Sequence, residues 1–202
     1  MKKGKLFVFS GPSGTGKGTI CRELLKDPDT WLSVSLTTRA PREGEEHGVH
    51  YFFVTREEYD RTVEEDGFLE HAEIYGNCYG TPKRDALEHM AAGDDVILEI
   101  EMQGALQVKA AYPDAVLNFV LPPSLAELRS RIRRRGTESD EQIDLRMKTT
   151  LEEIALLEKY DYFLINDDLG EAIETARSII RAEHCRTAGS AKALITRYKE
   201  EE

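Results

Sequence analysis

The strongest constraint on the fold of this chain is a glycine-rich segment that follows a short apolar run. The run Leu6 to Phe9 is bounded by glycine on both sides, as expected for a strand buried on both faces of a parallel sheet. The segment Gly11 to Lys17 reads GPSGTGK and leads into a helix predicted over Lys17 to Lys26. Glycine loses more conformational freedom on folding than any other residue, so this cluster indicates a place where bare backbone is needed.

The spacing of this segment, called the phosphate loop below, matches the G-x-x-x-x-G-K pattern of phosphate-binding loops between a strand and a helix. Backbone N–H groups and the positive end of the helix attract a phosphate chain, and Lys17 adds a point charge for the β- and γ-phosphates. A turn needed only for packing would explain one glycine but not this whole set. The residues predicted to bind the phosphates of a nucleotide triphosphate are Gly11, Pro12, Ser13, Gly14, Thr15, Gly16, Lys17, Gly18 and Thr19.

The residue after the lysine departs from the general pattern. Gly18 stands there, and the hydroxyl comes one place later on Thr19. We therefore expect phosphates and water, rather than a hydroxyl of the loop, to hold Mg²⁺. Glu99 lies at the carboxyl end of another predicted buried strand, where α/β sheets bind ligands, and is a candidate to organise the metal's water ligands.

The rest of the chain predicts a doubly wound α/β fold with a mostly parallel sheet. Further buried strands are predicted at Trp31 to Leu36, Val96 to Ile100, Ala115 to Leu121 and Tyr162 to Ile165. Capping boxes predict helix starts at Thr55 with Glu58, Ser124 with Glu127, and Ser139 with Gln142. The segment Thr37 to about Pro82 breaks the alternation, with strand-like pieces at Tyr51 to Val54 and Phe68 to Ile74. It reads as an insertion with its own small sheet.

Composition excludes some classes of protein. The chain has 202 residues, enough for one large domain, and a net charge of −11, which argues against nucleic-acid binding. No apolar run approaches the ~20 residues that span a bilayer, so we expect no membrane partner and a cytoplasmic location. The distant cysteines Cys21, Cys78 and Cys185 read as reduced bystanders. His47 and His50 could form a metal pair, but without a third ligand nearby they read as solvated loop residues.

The segment after the second predicted strand carries a hydroxyl and two arginines, Ser35, Arg39 and Arg42, and Pro41 excludes a regular helix there. With this segment, the chain resembles the guanylate kinase family from Gly4 to about Asn166. The matching stretches, in the family's order and spacing, are FSGPSGTGKGT, SVSLTTRAPREGE, YFFV, FLEHAEIYGNCYGTP, LEIEMQGALQVK, PPS and RRRGTES.

The resemblance implies ATP and GMP as small-molecule substrates, Mg²⁺ as cofactor, and direct transfer of the γ-phosphoryl group of ATP to GMP. It also implies a P-loop core over about 1–35, 83–123 and 160–202, a mixed α/β GMP-binding insertion over about 36–82, and a helical lid over about 124–159. The residues implied to hold the GMP phosphate are Ser35, Arg39, Arg42, Tyr51 and Tyr79. Glu70 and Thr81 are implied to read the guanine, and the oligomeric state stays open.

The resemblance also assigns residues on the ATP side. The residues implied to be catalytic, because they offset the phosphate charges, are Lys17, Arg39, Arg131, Arg135 and Arg146. Arg129, Arg133 and Arg134 read instead as a solvated helix face. Asn166 matches a position near the adenine. Glu101 matches a position on the guanine side where the family commonly has aspartate.

Two other functions remain open at this point. Guanylate-kinase-like domains that bind proteins typically have a degraded phosphate loop and few lid arginines, whereas Lys17, Arg131, Arg135 and Arg146 are all present here. A kinase of another nucleoside monophosphate is the second alternative. Glu70 and Thr81 argue against it, because a carboxylate can accept the N1–H and N2 amine of guanine but meets an acceptor at N1 of adenine.

Overall fold

A computed structural model describes residues 3–74, 76–134, 139–187 and 191–201. One sheet is fully parallel, and its strands are β1 (Leu6–Ser10), β2 (Thr30–Leu32), β7 (Asp95–Glu99), β8 (Val116–Leu121) and β9 (Tyr162–Ile165). Their order in the sheet is β2-β7-β1-β8-β9. The order reverses at β1, so the phosphate loop that follows β1 lies where doubly wound sheets bind ligands.

A second sheet lies within the predicted insertion. Its strands are β3 (Leu36–Thr37), β4 (Phe52–Phe53), β5 (Phe68–Ile74) and β6 (Asn77–Pro82). The order is β4-β3-β6-β5, with β3 parallel to β4 and antiparallel to β6, and β5 antiparallel to β6. The prediction of a small separate sheet in this part of the chain is confirmed.

Helices follow or connect these strands. They are α1 (Lys17–Leu24), α2 (Arg56–Glu64), α3 (Lys83–Ala92), α4 (Met102–Ala111), α5 (Leu125–Arg134), α6 (Asp140–Ile154), α7 (Leu169–His184) and α8 (Ala191–Glu200), with a 3₁₀ turn at Ala155–Lys159. Among the described residues, none of the helices has both the length and the apolar content that crossing a membrane requires.

The parallel sheet is covered on both faces, and the alternation along β1 shows how. Phe7 and Phe9 point to one face, where they pack with residues of α1 and α7. Leu6 and Val8 point to the other face, where they pack with residues of α3 and α4. Successive side chains of a strand point to opposite faces, so a continuous apolar run is what a sheet between two helical layers requires. The predicted doubly wound architecture is confirmed.

The prediction of one strand over Trp31 to Leu36 is wrong. Ser33 donates its N–H to the carbonyl of Ile97 in the parallel sheet, at 3.0 Å. The carbonyl of Ser35 instead accepts the N–H of Phe52 in the second sheet, at 2.9 Å. The chain therefore crosses between the sheets after Ser33. Apolar content alone does not reveal such a crossing, because both parts look like one buried strand.

The predicted capping boxes at Thr55 and Ser139 are confirmed, each with both of its hydrogen bonds. At Ser124 only one half forms. The Ser124 hydroxyl accepts the N–H of Glu127 at 3.1 Å, but the Glu127 carboxylate accepts hydrogen bonds from arginines of α5 instead. The physical reason is competition, since a guanidinium offers a charged donor and a helix-capping N–H a neutral one.

Candidate active site

The phosphate loop has the backbone conformation that only glycine adopts readily. Gly11, Gly14 and Gly16 have φ angles of 139°, 92° and 91°. At Gly11 there is a further reason for glycine, because a Cβ there would lie 2.4 Å from the carbonyl oxygen of Val120 on β8. The Thr15 hydroxyl closes the loop by donating to the Pro12 carbonyl at 3.0 Å. Sequence and neighbouring strand together fix the loop at the carboxyl edge of the sheet.

Helix α1 begins directly after this loop. Gly16 precedes it in the left-handed conformation, and within the described part of the chain no side chain caps its first turn. Uncapped N–H groups at a helix start attract anions. The start of α1 is therefore suited to a phosphate group.

Asn166, which follows β9, contacts the loop directly. Its side-chain Nδ2 donates to the carbonyl of Thr15 at 2.7 Å, and the residue is buried. A Cβ on Gly16 would lie 2.3 Å from the same Nδ2 atom. The structure thus places Asn166 against the phosphate loop, and its nearness to the adenine stays a prediction.

Lys17 lies folded over its own loop. Its Nζ donates to the carbonyls of Gly11 and Pro12 at 2.6 and 3.1 Å. Burial lowers the pKa of the Lys17 ammonium below its ordinary value. Neighbouring carboxylates oppose this shift, and they belong to Glu101, Glu99 and Glu153. The ammonium is held in place by acceptors that an incoming phosphate can replace.

Glu99 is the last residue of β7, and Glu101 follows two residues later. Both lie at the carboxyl edge of the parallel sheet, as the phosphate loop does. A Cβ on Gly18 would lie 3.1 and 3.2 Å from the two carboxylate oxygens of Glu99. Burial raises the pKa of the Glu99 carboxyl, and the charges of Lys17 and Arg22 act against that rise. The departure at position 18 therefore leaves space beside a carboxylate. Glu101 is exposed and immediately precedes α4.

In the second sheet, Glu70, Thr81 and Ser35 form a chain of hydrogen bonds. The Thr81 hydroxyl donates to Oε1 of the buried Glu70 at 2.6 Å. Its own hydrogen is then used, so the Ser35 hydroxyl donates to Thr81 across the 3.4 Å between the two oxygens. Burial raises the pKa of the Glu70 carboxyl, although the hydrogen bond from Thr81 lowers it in part. The structure thus brings together the two residues expected to read guanine.

The residues expected to hold the GMP phosphate lie in the same insertion. The Arg39 guanidinium is 5.6 Å from the ring centre of Tyr51, and the ring of Tyr51 is 6.0 Å from that of Tyr79. Arg39 Nη2 donates to both carboxylate oxygens of Glu45 at 2.9 Å. Glu45 also accepts the backbone N–H of the exposed Arg42 at 2.8 Å. One carboxylate therefore organises both arginine positions.

The arginines of the predicted lid that the structure describes already have partners. Arg131 Nε and Arg134 Nη2 both donate to Glu127, at 2.8 and 2.9 Å. Arg146 on α6 reaches Ser13 of the phosphate loop, with 3.4 Å between Nη1 and the hydroxyl oxygen. The arginines expected on a solvated face have exposed side chains, each with an acidic partner: Arg129 with Asp144, Arg133 with Asp140, and Arg134 with Glu127. Arg135, also expected in the lid, lies outside the described residues.

Comparison with known proteins identifies the family to which this chain belongs. A sequence model described as guanylate kinase matches residues 3–183. The chain belongs to the guanylate kinase family. The guanylate kinase of Clostridium tetani is 52% identical over 92% of this chain and 89% of its own length. That of Caldanaerobacter subterraneus subsp. tengcongensis is 52% identical over 99% of this chain and 97% of its own. A crystal structure of guanylate kinase from Anaplasma phagocytophilum is 34% identical, covers 96% of this chain and 94% of its own, and has a TM-score of 0.79.

Two acidic residues of the site in this guanylate kinase give little signal in the sequence. Glu45 is part of the stretch PREGE, yet an acid beside two expected phosphate-binding arginines gave no reason to single it out. Glu153 is on α6. Burial raises the pKa of its carboxyl most, and the negative charge of Glu101 raises it further. Its only signal in the sequence was the seven-residue spacing from Arg146, which places both on one side of a helix.

In this member of the guanylate kinase family, His47 and His50 accept hydrogen bonds from the backbone of their own loop. His47 Nδ1 accepts the N–H of Phe53 at 3.2 Å, and His50 Nδ1 accepts the N–H of Glu46 at 3.1 Å. Across the described ranges, no group of three or more His, Cys, Asp and Glu side chains could hold a metal ion. A role in the loop fold therefore describes both histidines better than metal binding does.

Proposed function

We propose that this chain transfers the γ-phosphoryl group of ATP to GMP, giving ADP and GDP. Its substrates are these small molecules, and it acts in the cytoplasm. One observation carries the proposal. The short segment 99–104 borders both halves of the site, because Glu99 and Glu101 act electrostatically on Lys17 while Gly104 faces the Glu70 carboxylate. A phosphate loop and a base-reading carboxylate therefore adjoin in one chain.

The Glu70–Thr81 pair supports guanine as the acceptor base. One carboxylate can accept the N1–H and the N2 amine of guanine together, whereas adenine presents an acceptor at N1. The pair is buried, so an analogue without those donors would leave the carboxylate with Thr81 as its partner but without the two donors of guanine. A site built to hydrogen-bond such a group can reject the analogue by on the order of 10⁴-fold.

The proposed reaction needs no general base. An oxygen of the GMP phosphate attacks the γ-phosphorus of ATP, the bond to the β-phosphate oxygen breaks, and ADP leaves with that electron pair. A phosphate monoester with a second pKa near 6 is already mostly dianionic at neutral pH. The obstacle is repulsion between the two nucleotides. Two unit charges 4 Å apart cost about 4 kcal/mol at an effective dielectric of 20.

Cationic side chains on both sides offset this repulsion and align the reacting oxygens. They are Lys17 in the phosphate loop, Arg39 and Arg42 in the insertion, and Arg131, Arg135 and Arg146 in the proposed lid. Arg39 and Arg131 are held by Glu45 and Glu127. We expect the phosphates to share or replace those carboxylates when both nucleotides bind.

Mg²⁺ fits this site as an ion carried in with ATP. The Glu99 carboxylate lies beside Gly18 at the start of α1, and Mg²⁺ prefers oxygen ligands and keeps several waters. Glu99 is the residue that would hold those waters, with phosphate oxygens as the direct ligands. When bound, the ion supplies positive charge that neutralises the β- and γ-phosphates.

We also propose a division of the chain into a core, an insertion and a lid. The strands of the parallel sheet fall within 1–35, 83–123 and 160–202, and those of the second sheet within 36–82. Helices α5 and α6 fall within 124–159, between β8 and β9. Limited proteolysis with and without both nucleotides would test whether 124–159 becomes protected as a lid should.

The test of the function is a coupled assay of ADP release with ATP and Mg²⁺, in which GMP, AMP, UMP and CMP are offered in turn. We expect turnover with GMP and far less with the others. A folded protein without turnover on any monophosphate would support a protein-binding module instead. A preference for AMP would contradict the assignment of Glu70.

A further inference from the structure

Helix α4 of the core packs against strand β5 of the insertion at the residue that reads the base. Leu69 of β5 shares an apolar cluster with Ala105 and Val108 of α4. Leu69 precedes Glu70, and on its other side His71 also contacts α4, because the N–H of His71 donates to Oε1 of Gln107 at 3.3 Å. Glu70 is therefore enclosed where the two elements meet.

An irregularity in the strand directs Glu70 toward the helix. In the pairing of β5 with β6, Phe68 lies opposite Pro82 and Glu70 opposite Thr81, so Leu69 is an extra residue. A bulge of this kind turns the side chains that follow it, and bulges recur next to binding sites. As a result both neighbours face α4, because Leu69 packs with Ala105 and Val108 and Glu70 approaches Gly104, whereas a regular strand would point them to opposite faces.

Gly104 is the residue of α4 that meets the Glu70 carboxylate. A Cβ on Gly104 would lie 2.5 Å from Oε2, 2.9 Å from Cδ and 3.3 Å from Cγ of Glu70. All three of these nearest atoms belong to the Glu70 side chain, and none belongs to the backbone. Thr81 holds the other carboxylate oxygen at 2.6 Å. The carboxylate is thus fixed between a hydroxyl and a helix surface without a side chain.

Glycine at position 104 lowers the stability of the helix relative to alanine, so its presence there calls for another reason. Gly104 lies inside the first turns of a helix, where alanine is the favoured residue and glycine the least favoured apart from proline. Its φ is not among the positive values that would call for glycine. Close approach of Glu70 is the reason for glycine that the structure offers.

We propose that Gly104 is a positioning residue that determines guanine specificity by leaving room for the Glu70 carboxylate. This inference rests on the proposed function, since it concerns the base-reading half of the same site. A methyl group at position 104 displaces the far end of a flexible side chain, so the fold accommodates it. Recognition of guanine does not, because the carboxylate then no longer lies where Thr81 and the bulge direct it.

The experiment is Gly104→Ala, assayed for ADP release at varied GMP and at varied ATP. We expect kcat/KM for GMP to fall roughly 10- to 100-fold, as displacement of a binding group by about 1 Å can cost. The preference for GMP over AMP should shrink, while the KM for ATP and the thermal midpoint of unfolding are not worsened. Gly170→Ala, which adds a methyl group near the start of α7 and outside the site, should leave the GMP and ATP kinetics unchanged.

A double-mutant cycle separates positioning from structural damage. With Glu70→Ala there is no carboxylate to displace, so adding Gly104→Ala should cost nothing further in GMP binding measured by calorimetry. An equal loss in both backgrounds would overturn the inference, as would unchanged GMP kinetics in Gly104→Ala. Failure of the proposed function looks different: the unsubstituted protein would then release no ADP with GMP, and the calorimetric cycle would still test the contact.

Discussion

The side-chain amide of Asn166 donates a 2.7 Å hydrogen bond to the carbonyl of Thr15, 151 residues earlier in the chain. The bond is made possible by the sheet order, because β9 lies next to β8 and β8 next to β1. The residue after β9 therefore reaches the loop after β1. Asn166 occupies the space that a side chain on Gly16 would fill, so this hydrogen bond depends on glycine at position 16.

Replacing Asn166 should weaken ATP binding more than GMP binding. Asn166→Ala leaves the buried Thr15 carbonyl without this donor, and we expect about 1 kcal/mol less stability. The KM for ATP should rise several-fold because the loop loses its fixed shape, whereas the Glu70 side is untouched. Urea unfolding and the ADP-release assay measure both effects. A larger rise in the KM for GMP would contradict this role of Asn166.

Lys17→Ala should nearly abolish turnover and leave GMP binding largely intact. The ammonium lies on the loop carbonyls, where the β- and γ-phosphates of ATP are expected, and not in the insertion. Removing one such electrostatic contact typically costs on the order of 10²- to 10³-fold in kcat. Arg129→Ala is the matched control, since the Arg129 side chain on α5 pairs with Asp144 on α6 at the surface. If Lys17→Ala weakened GMP binding and turnover equally, the division into donor and acceptor sites would be wrong.

Glu45 should help GMP to bind even though it carries a negative charge. It holds Arg39 through both oxygens and accepts the N–H of Arg42, so it orients the two arginines expected at the GMP phosphate. Glu45→Gln keeps the shape but weakens these charge-assisted bonds, and we expect the KM for GMP to rise roughly 10-fold. Steady-state kinetics at varied GMP test this. A lower KM for GMP would show that the carboxylate competes with the phosphate.

The parallel sheet and the phosphate loop could be predicted from the sequence because their signals are local. Strand β9 was predicted with its observed bounds, and β1 to within one residue, because continuous apolar runs bounded by polar residues mark buried strands. The phosphate-binding role of the loop glycines could be predicted from their spacing and from Lys17. The roles in GMP binding came from resemblance, and no local pattern supplies them.

Most of what the sequence did not reveal depends on contacts between distant segments. The break between β2 and β3 depends on bonds to other strands. The carboxylate of Glu153 matters because folding brings Lys17 near it. Glu45 is close to Arg39 and Arg42 in the sequence, but its bonds to them depend on the conformation of the loop. Gly104 looks like an ordinary helix residue until Glu70 is placed beside it. Apart from Glu45, each of these features depends on a partner that is distant in the sequence and that only the tertiary structure identifies.

Glu70→Gln should make the protein more stable at neutral pH and a poorer enzyme. Burial raises the pKa of the Glu70 carboxyl above its ordinary value of 4.5, so the folded state binds more protons than the unfolded state in the pH range just above that value. Stability then falls as pH rises through this range, because raising the pH removes a proton that the folded state binds more tightly than the unfolded state. Glutamine does not ionise and can still accept the Thr81 hydrogen bond.

Urea unfolding of both proteins between pH 5 and pH 7.5 measures this difference. The advantage of Glu70→Gln should be largest at pH 7.5 and shrink toward pH 5, while kcat/KM for GMP falls on the order of 10²-fold or more, because an amide presents a donor to the donors of guanine. A stability difference independent of pH would show that burial of the charge is not its cause. Retained GMP specificity in the variant would remove Glu70 from the recognition of the base.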